Sequence, residues 1–384
     1  MKYLIFILLV ISCTQKSSET SDNYLEGMKF HLDTVIIDPG DEIVFLNHNL
    51  ATSSLSMDKK YLYNFNPNDH TLEKISLDGY QLEEKIPFER EGPNGTGNFL
   101  GGFRMYDSNE FALQDLNGIA LFALDGTRTK KVNYEGFFLE SNPLTSGGLA
   151  FVSTYLDREA SRLFALLDQR MDGKFALGVF DLEDYSYKTL PLSSFDAIYD
   201  NQFTLQFGSS SVIFGPKMSM AMSGSRLIFS NQLSSELAIY DTQRDTTYLK
   251  EFDTQLTKNK KVNSYKQEFQ SEEALEVEYT RFHQEINYLP PFWDEKNSVF
   301  YRFSFQELPS KSTSDEDIRS EIYLSVLDKN FNLIGEALVP GLEKKPAKPF
   351  SSFFPKHFAK DGKIWIYENI NDELGFVILR MSGH

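Results

Sequence analysis

The stretch YLYNFNPNDHTLEKI, residues 61–75, contains two runs of strand-forming residues that are joined by a polar turn. Aromatic and β-branched residues favour strands, whereas asparagine, aspartate and proline favour turns. The second run carries polar residues between apolar ones, as expected for a strand with one exposed face. The stretch therefore predicts a β-hairpin whose turn begins at Asn66.

The same pattern recurs four times further along the chain, in residues 119–132, 175–190, 236–250 and 322–338. Each unit has an aspartate or asparagine at the start of its turn, where the side chain can accept a hydrogen bond from the turn backbone. The intervals between successive turn openers are 59, 56, 60 and 87 residues, and the openers are Asn66, Asp125, Asp181, Asp241 and Asp328. A repeat of this length in a strand-rich sequence is typical of a β-propeller, in which four-stranded sheets are arranged radially.

We therefore expect an all-β fold, a six-bladed β-propeller, with seven blades as the alternative. A further strand that ends at Met381, 53 residues after Asp328, would complete the sixth unit. A solenoid is the competing architecture, but its repeats are usually shorter, and the sequence has no leucine-rich or hexapeptide periodicity.

The two ends of the chain predict how such a ring would close. The C-terminal unit has the strands KIWIYEN (Lys363–Asn369) and GFVILRM (Gly375–Met381) but lacks an outer strand. The segment FHLDTVIID (Phe30–Asp38) is a strand without a partner in the neighbouring sequence. We expect this segment to supply the outer strand, so that both ends of the chain share one blade.

The longest interval indicates an insertion around residues 255–290. Apolar residues recur there at helical spacing among several glutamates, from Tyr265 to Ile286. The insertion therefore predicts one or two short helices on a face of the propeller, and a mobile acidic loop is the alternative.

The first residues, MKYLIFILLVISC, have the form of a lipoprotein signal peptide. Lys2 precedes an apolar run that is too short to span a bilayer, which needs about 20 helical residues. The end VISC resembles a lipobox, whose cysteine becomes the acylated first residue of the mature chain. Cys13 is also the only cysteine, so no disulfide can form within the chain. We expect a signal peptide in 1–12, the lipidated cysteine and a flexible tether in 13–27, and a single propeller domain in 28–384.

The composition is that of a globular protein, with 41% hydrophobic and 24% charged residues. The net charge of −17 argues against nucleic acid as a partner, because a basic surface supplies most of that affinity. It also argues against electrostatic binding to anionic lipid, so we expect membrane attachment through the lipid anchor only.

The stretch GPNGTGNF, residues 92–99, has glycines at both glycine positions of a phosphate-binding P-loop. The lysine and the hydroxyl that this loop needs are replaced by Asn98 and Phe99. We therefore expect no nucleotide and interpret the stretch as a glycine-rich turn between strands.

No motif in the sequence indicates a catalytic or metal site. There is no G-x-S-x-G nucleophile elbow, and the six histidines are scattered without metal-ligand spacing. We expect no catalytic residues, no metal and no cofactor, although the many acidic residues leave a carboxylate pair for glycoside chemistry open.

Two segments combine aromatic, arginine and acidic residues that could line a propeller face. Such sets suit recognition of a sugar or peptide. The candidate binding residues are Arg104, Asp107, Trp293, Asp294, Tyr301 and Arg302. We expect Arg302 to face a central or upper cleft, and the alternative is a packing cluster between blades.

Three features together carry a resemblance to a known family: the lipobox at Cys13, EGPNGTGNF at 91–99 and YLPPFWDEKNSVFYRFS at 288–304. The combination resembles an uncharacterised lipoprotein family of the Bacteroidota, known only as a domain of unknown function. It is also similar to six-bladed, TolB-like propellers of the same phylum. The resemblance implies a propeller in the outer envelope and implies no catalytic residues.

Taken together, the sequence predicts a monomeric, lipid-anchored and non-catalytic propeller that binds an envelope protein, peptide or glycan. Thr14 follows the cysteine, where an aspartate would favour the inner membrane, so we expect the outer membrane, with a periplasmic or surface-facing domain. The alternative is a polysaccharide-acting enzyme, a glycosidase or lyase, that uses carboxylates on the propeller face.

Overall fold

The computed structural model describes residues 23–98, 101–137, 150–309, 319–343 and 354–383. Almost all regular structure in these residues is β-strand, as predicted. The expected signal peptide, the lipidated Cys13 and most of the tether lie outside the described residues.

Most of the described strands form six sheets in which neighbouring strands are antiparallel and mostly successive in the chain. Sheet 1 contains β2 (Ser53–Leu55), β3 (Tyr61–Asn66), β4 (Thr71–Ser76) and β5 (Gln81–Pro87). Sheet 2 contains β6 (Gly102–Met105), β7 (Glu110–Gln114), β8 (Gly118–Ala123) and β9 (Arg128–Asn133). Sheet 3 contains β10 (Ala150–Leu156), β11 (Arg162–Gln169), β12 (Lys174–Asp181) and β13 (Tyr187–Pro191).

The second half of the chain repeats this arrangement. Sheet 4 contains β16 (Met218–Ser223), β17 (Arg226–Asn231), β18 (Leu237–Asp241) and β19 (Thr246–Lys250). In sheet 5, β21 (Asn287–Tyr288) and β22 (Phe292–Asp294) both pair with β23 (Val299–Glu307), which is followed by β24 (Ser320–Leu327) and β25 (Leu333–Leu338). Sheet 6 contains β26 (His357–Lys360), β27 (Lys363–Ile370) and β28 (Glu373–Ser382).

The fourth strand of sheet 6 comes from the N-terminal part of the chain. Strand β1 (Lys29–Ile36) pairs antiparallel with β28, from Lys29 opposite Ser382 to Ile36 opposite Gly375. The predicted pairing of the N-terminal strand with the C-terminal hairpin is therefore confirmed.

Six apolar clusters make up the core of the described residues, and each contains residues of two neighbouring sheets. Phe65 and Phe111 belong to the cluster of sheets 1 and 2, and Leu121 and Leu163 to that of sheets 2 and 3. The remaining clusters join the other neighbouring sheets. They join sheets 3 and 4 (Phe164 and Phe229), sheets 4 and 5 (Ile239 and Phe300), sheets 5 and 6 (Val326 and Ile364), and sheets 6 and 1 (Phe376 and Leu62).

Alternation along the middle strands explains how one sheet serves two clusters. In β11, Leu163 and Ala165 contribute to the cluster with sheet 2, whereas Phe164 and Leu166 contribute to the cluster with sheet 4. Successive side chains of a strand point to opposite faces, so a strand that is covered on both faces reads as a continuous apolar run.

The turn openers behave as predicted, because each side chain accepts a hydrogen bond from the amide two residues further on. The acceptor–donor distances lie between 2.7 and 3.0 Å for Asn66, Asp125, Asp181, Asp241 and Asp328. These bonds fix the tight turns that join the strands.

The alignment of the first unit with the others was wrong by one strand. Asn66 opens the turn between the second and third strands of sheet 1, whereas the other four openers follow the third strand of their sheets. Successive turns of an antiparallel meander lie at opposite ends, so Asn66 lies at the other end of its sheet. The equivalent turn in sheet 1 is the one between β4 and β5.

The predicted helical insertion is present as α1 (Glu272–Gln284), preceded by β20 (Glu268–Phe269). Ser271 caps the helix by accepting from the amide of Ala274 at 3.4 Å. The helix packs on β14 (Phe203–Phe207), where the Phe203 ring lies 5.6 Å from that of Phe282. Strand β14 pairs with β15 (Ser210–Phe214) and β20 in a small seventh sheet that the sequence analysis did not predict.

Three short 3-10 helices complete the described structure, at Asn47–Leu50, Tyr134–Phe137 and Ser193–Asn201. No helix within the described ranges is long and apolar enough to cross a membrane.

Candidate functional site

Trp293, Asp294 and Tyr301 lie together at the hairpin of β22 and β23, where they hold the turn. The Asp294 carboxylate is fully buried and accepts from the Asn297 amide nitrogen at 2.8 Å. The same amide nitrogen lies 3.0 Å from the hydroxyl of Tyr301, which is also fully buried. The Trp293 ring packs against Phe300 at 4.8 Å between ring centroids. This geometry favours the packing interpretation for all three residues.

Arg302 joins two sheets and does not face a cleft. Its side chain is 3% exposed, and it donates to three backbone carbonyls: Leu289 at 2.7 Å, Ser234 at 3.3 Å and Ser235. Ser234 and Ser235 belong to sheet 4, between β17 and β18, whereas Arg302 lies on β23 of sheet 5. Burial lowers the Arg302 pKa to about 10, so the group stays charged at neutral pH. The expectation of an exposed Arg302 was wrong because three carbonyls from two sheets already surround the guanidinium.

Asp107 lies in the exposed turn between β6 and β7. Its carboxylate accepts from the amides of Asn109 at 2.7 Å and Glu110 at 2.8 Å. The residue therefore has a local role in the turn, like the aspartates of the other hairpins.

Arg104 has different surroundings from the other candidates. It lies on β6, the first strand of sheet 2, where Phe103 and Met105 point into the core shared with sheet 1. The Arg104 guanidinium lies on the opposite face, 3.6 Å from the ring centroid of Tyr155, and Nη2 donates to the Ser153 hydroxyl at 3.3 Å. Nη1 is buried and has no acceptor in the described part of the chain.

Lys356 is a second cation of this region, and the sequence analysis missed it. It directly precedes β26, and its Nζ donates to the Ser53 carbonyl of β2 at 2.7 Å. Burial, together with the positive charge of Arg104, lowers the Lys356 pKa to about 8. No local pattern distinguishes Lys356 from the other lysines, since its environment comes from residues at the far end of the chain.

We call Arg104 and Lys356 the inner cation pair. The two residues come from sheets 2 and 6, which flank sheet 1, and Ser53 of sheet 1 contacts Lys356. Within the described residues, no carboxylate lies within 4.0 Å of either cation. The pair therefore presents hydrogen-bond donors and positive charge without a carboxylate partner.

Residues 92–98 of the GPNGTGNF stretch form a closed turn after β5, and Phe99 lies outside the described residues. Gly92 and Gly97 adopt φ angles of +90° and +82°, which favour glycine. The amides of Gly95 and Gly97 donate to the carbonyls of Gly92 and Arg90 at 3.1 and 3.0 Å. These amides are used within the turn, whereas a P-loop directs its amides at the bound phosphates.

A cavity of about 190 Å³ lies between this turn and sheet 2. Its polar lining includes Arg90, Gln114, Asp115, Arg128 and Lys131. Asp115 holds the β7–β8 turn by accepting from the amide of Gly118 at 2.8 Å. The glycine-rich turn therefore forms one wall of a small polar cavity on sheet 2.

The described residues contain no group of three or more histidine, cysteine, aspartate or glutamate side chains that could hold a metal ion.

The fold and the site define a nearly all-β protein built mostly of four-stranded antiparallel sheets. Its polar site, the inner cation pair, lies at the first strands of sheets 2 and 6. The chain belongs to the DUF4221 family, a domain of unknown function, whose model matches residues 27–338. Among curated proteins none matches the sequence.

Solved structures show the same architecture. A DUF4221 family member from Bacteroides vulgatus matches with a TM-score of 0.63 at 15% identity, over 94% of this chain and 100% of that chain. A Bacteroides fragilis protein, named as a candidate exported protein, matches with a TM-score of 0.50 at 11% identity, over 94% and 98%. A TolB candidate from Agrobacterium tumefaciens is also similar, with a TM-score of 0.35 at 10% identity, over 93% and 99%. Likeness at these identities concerns the fold alone.

Proposed function

We propose that the six sheets form a closed six-bladed β-propeller within a single domain. The six core clusters connect each sheet to the next, and the last connects sheet 6 back to sheet 1. A series of contacts that returns to its first sheet is expected of a ring. The pairing of β1 with β28 would hold that ring shut, because it places both ends of the chain in one blade.

The propeller binds a ligand where its first strands converge, and Arg104 is the observation that carries this proposal. In a closed ring, β2, β6 and β26 line the axis, because each is the first strand of its sheet. Buried polar atoms almost always have a hydrogen-bond partner, and leaving one unmade is costly. The buried Nη1 of Arg104 has no acceptor among the described residues, so an acceptor from a bound molecule would stabilise it.

The protein acts as an exported, lipid-anchored, non-catalytic binding protein of the outer membrane. The lipobox at Cys13 supports the anchor, and the fold shared with a protein named as a candidate exported protein supports the location. The proposed partner is an envelope protein, peptide or glycan, and the proposed state is a monomer.

A binding screen tests this function. The chain from residue 23 onward, which contains every described residue, would be applied to glycan and peptide arrays and used in pull-downs from envelope extracts. We expect at least one ligand whose binding is lost in Arg104→Gln and kept in Arg244→Gln, a variant that removes an 82% exposed arginine. Turnover of a polysaccharide that disappears on replacing carboxylates by amides would contradict the non-catalytic proposal.

A further inference from the structure

We propose that the inner cation pair binds an oxyanion, a carboxylate or phosphate group carried by the ligand. This inference rests on the proposed binding function and names the chemistry that the site would recognise. Both cations lie on or directly before the first strands of their sheets. Lys356 donates to the Ser53 carbonyl on β2, and β2 packs beside β6, the strand that carries Arg104.

The neighbours of Arg104 fix its orientation, but among the described residues they do not accept hydrogen bonds from all of its N–H donors. Tyr155 covers one face of the guanidinium plane at 3.6 Å, which fixes its orientation. Within the described residues, only Nη2 of the three guanidinium nitrogens makes a hydrogen bond, a long one of 3.3 Å to the Ser153 hydroxyl. Guanidinium groups match carboxylate and phosphate through paired N–H donors, so an ordered group with unused donors suits an oxyanion.

Lys356 adds a second charge that no carboxylate of the described residues neutralises. Among these residues its ammonium has one hydrogen bond, to the Ser53 carbonyl at 2.7 Å, which leaves further donor capacity. Burial is the larger cause of the lowered Lys356 pKa, and repulsion by the positive charge of Arg104 adds to it. An anion between them would relieve that repulsion.

The contrast with the rest of the molecule makes the pair unusual. The chain carries a net charge of −17, and two other cations of sheets 1 and 6 have carboxylate partners. Lys85 lies near the buried Glu73, and Lys360 pairs with Asp78 and Asp361. Asp115, whose negative charge raises the pKa of Tyr134 while the Arg104 charge lowers it, uses its carboxylate to hold a turn. No such acid compensates the inner cation pair within the described residues.

A purely structural role is the competing interpretation. In that case Arg104 serves as a stacking partner for Tyr155, and Lys356 serves as a strut between sheets 6 and 1. Both roles would be insensitive to added anions, which allows the two interpretations to be separated by experiment.

The test measures anion-dependent thermal unfolding and calorimetric binding of the purified full-length protein in detergent. The probes are inorganic phosphate, sulfate and succinate, each compared with sodium chloride at equal ionic strength. We expect at least one of these oxyanions to raise the Tm with saturation, because a ligand that binds only the folded state stabilises it. Phosphate and succinate distinguish a phosphate-bearing from a carboxylate-bearing ligand.

Variants assign the effect to the pair. We expect Arg104→Gln and Lys356→Met each to weaken oxyanion binding at least about tenfold, as expected on losing a charge-assisted hydrogen bond. Arg104→Lys should retain part of the affinity, because it keeps the charge and loses the paired donors. Arg244→Gln removes an exposed arginine and should bind as the wild type does. Urea unfolding of each variant establishes that it is folded before its binding is compared.

The inference is overturned if no oxyanion raises the Tm above the chloride control, or if the folded Arg104→Gln and Lys356→Met variants respond as the wild type does. A neutral glycan or peptide that binds in an Arg104-dependent manner, with no oxyanion effect, overturns this inference and leaves the binding function standing. Saturable oxyanion binding that depends on the pair, together with a failed array and pull-down screen, supports this inference and contradicts the proposed partner class.

Discussion

At the scale of single residues, Arg104 and Arg302 show that similar local sequence does not determine the role of a side chain. Both arginines are flanked by apolar and aromatic residues, in GFRMY and FYRFS, and both lie in strands. Arg302 lies on the second strand of its sheet, and carbonyls from the neighbouring sheet surround it. Arg104 lies on the first strand of its sheet, and one of its nitrogens is buried without an acceptor among the described residues.

Arg302→Met should destabilise the protein by about 2–4 kcal/mol, because it leaves buried carbonyls of Leu289, Ser234 and Ser235 without their donor. The free energy of unfolding in urea measures this effect. Arg244→Gln, the exposed control, should stay within about 0.5 kcal/mol of the wild type. An Arg302→Met variant as stable as this control would show that the bridge between sheets 4 and 5 does not stabilise the fold.

At the scale of elements, the glycine-rich turn illustrates how backbone geometry can imitate a functional motif. Its glycines are explained by two different constraints. Gly97 needs a positive φ of +82° but has open space around it, with nothing within 4 Å of an added Cβ. Gly95 has no such φ, yet an added Cβ would lie 2.6 Å from the backbone of Glu91. Both constraints concern the turn itself and require no bound phosphate.

Gly95→Ala should therefore destabilise the protein more than Gly97→Ala does. We expect about 2–3 kcal/mol for Gly95→Ala, since the backbone of the turn must shift, and about 1–2 kcal/mol for Gly97→Ala, which tolerates the Cβ but strains φ. The bulkier Gly92→Val and Gly97→Val should each cost about 1–3 kcal/mol. Urea unfolding of the set gives the order, and equal costs would contradict the close approach at Gly95.

Nucleotide addition provides the control for this turn. ATP with Mg²⁺ should leave the Tm unchanged, whereas a nucleotide site at about 100-fold saturation would add about 2.7 kcal/mol of stability. A rise of several degrees with ATP would show that the turn binds phosphate after all.

At the scale of the whole molecule, the proposed anchor and the proposed ring would give different tasks to different parts of the chain. The described residues carry the sheets and the inner cation pair, whereas Cys13 belongs to the part of the sequence that resembles a lipoprotein leader. With a net charge of −17 the chain would be repelled by an anionic lipid surface, so the proposed attachment relies on acyl chains and not on surface charge.

Cys13→Ala should release the protein from the membrane fraction. Fractionation of cells followed by immunoblotting measures the distribution between membrane and soluble pools. The matched control is Thr14→Ala, which leaves the cysteine in place and should remain bound. Membrane retention of the Cys13→Ala variant would contradict the lipid anchor.

Local sequence determined the strands, their turns and the helical insertion, because these depend on residues that are neighbours in the chain. The aspartates and asparagine that open the hairpins could be recognised from composition, and each makes its predicted bond to the turn backbone. The pairing of β1 with β28 was also predictable, since a strand without a partner at each end of a repeat array suggests that the two pair.

Only the tertiary structure decided which two strands of sheet 1 the first hairpin contains and which groups surround the polar side chains. Ser53 and Lys356, which form one hydrogen bond, are 303 residues apart in sequence. The packing of the sheets decides whether the N–H donors of a lysine or arginine meet carbonyl groups or stay without an acceptor. No local sequence pattern carries that information. For this reason the sequence suggested Arg104 and Arg302 alike and gave no indication of Lys356.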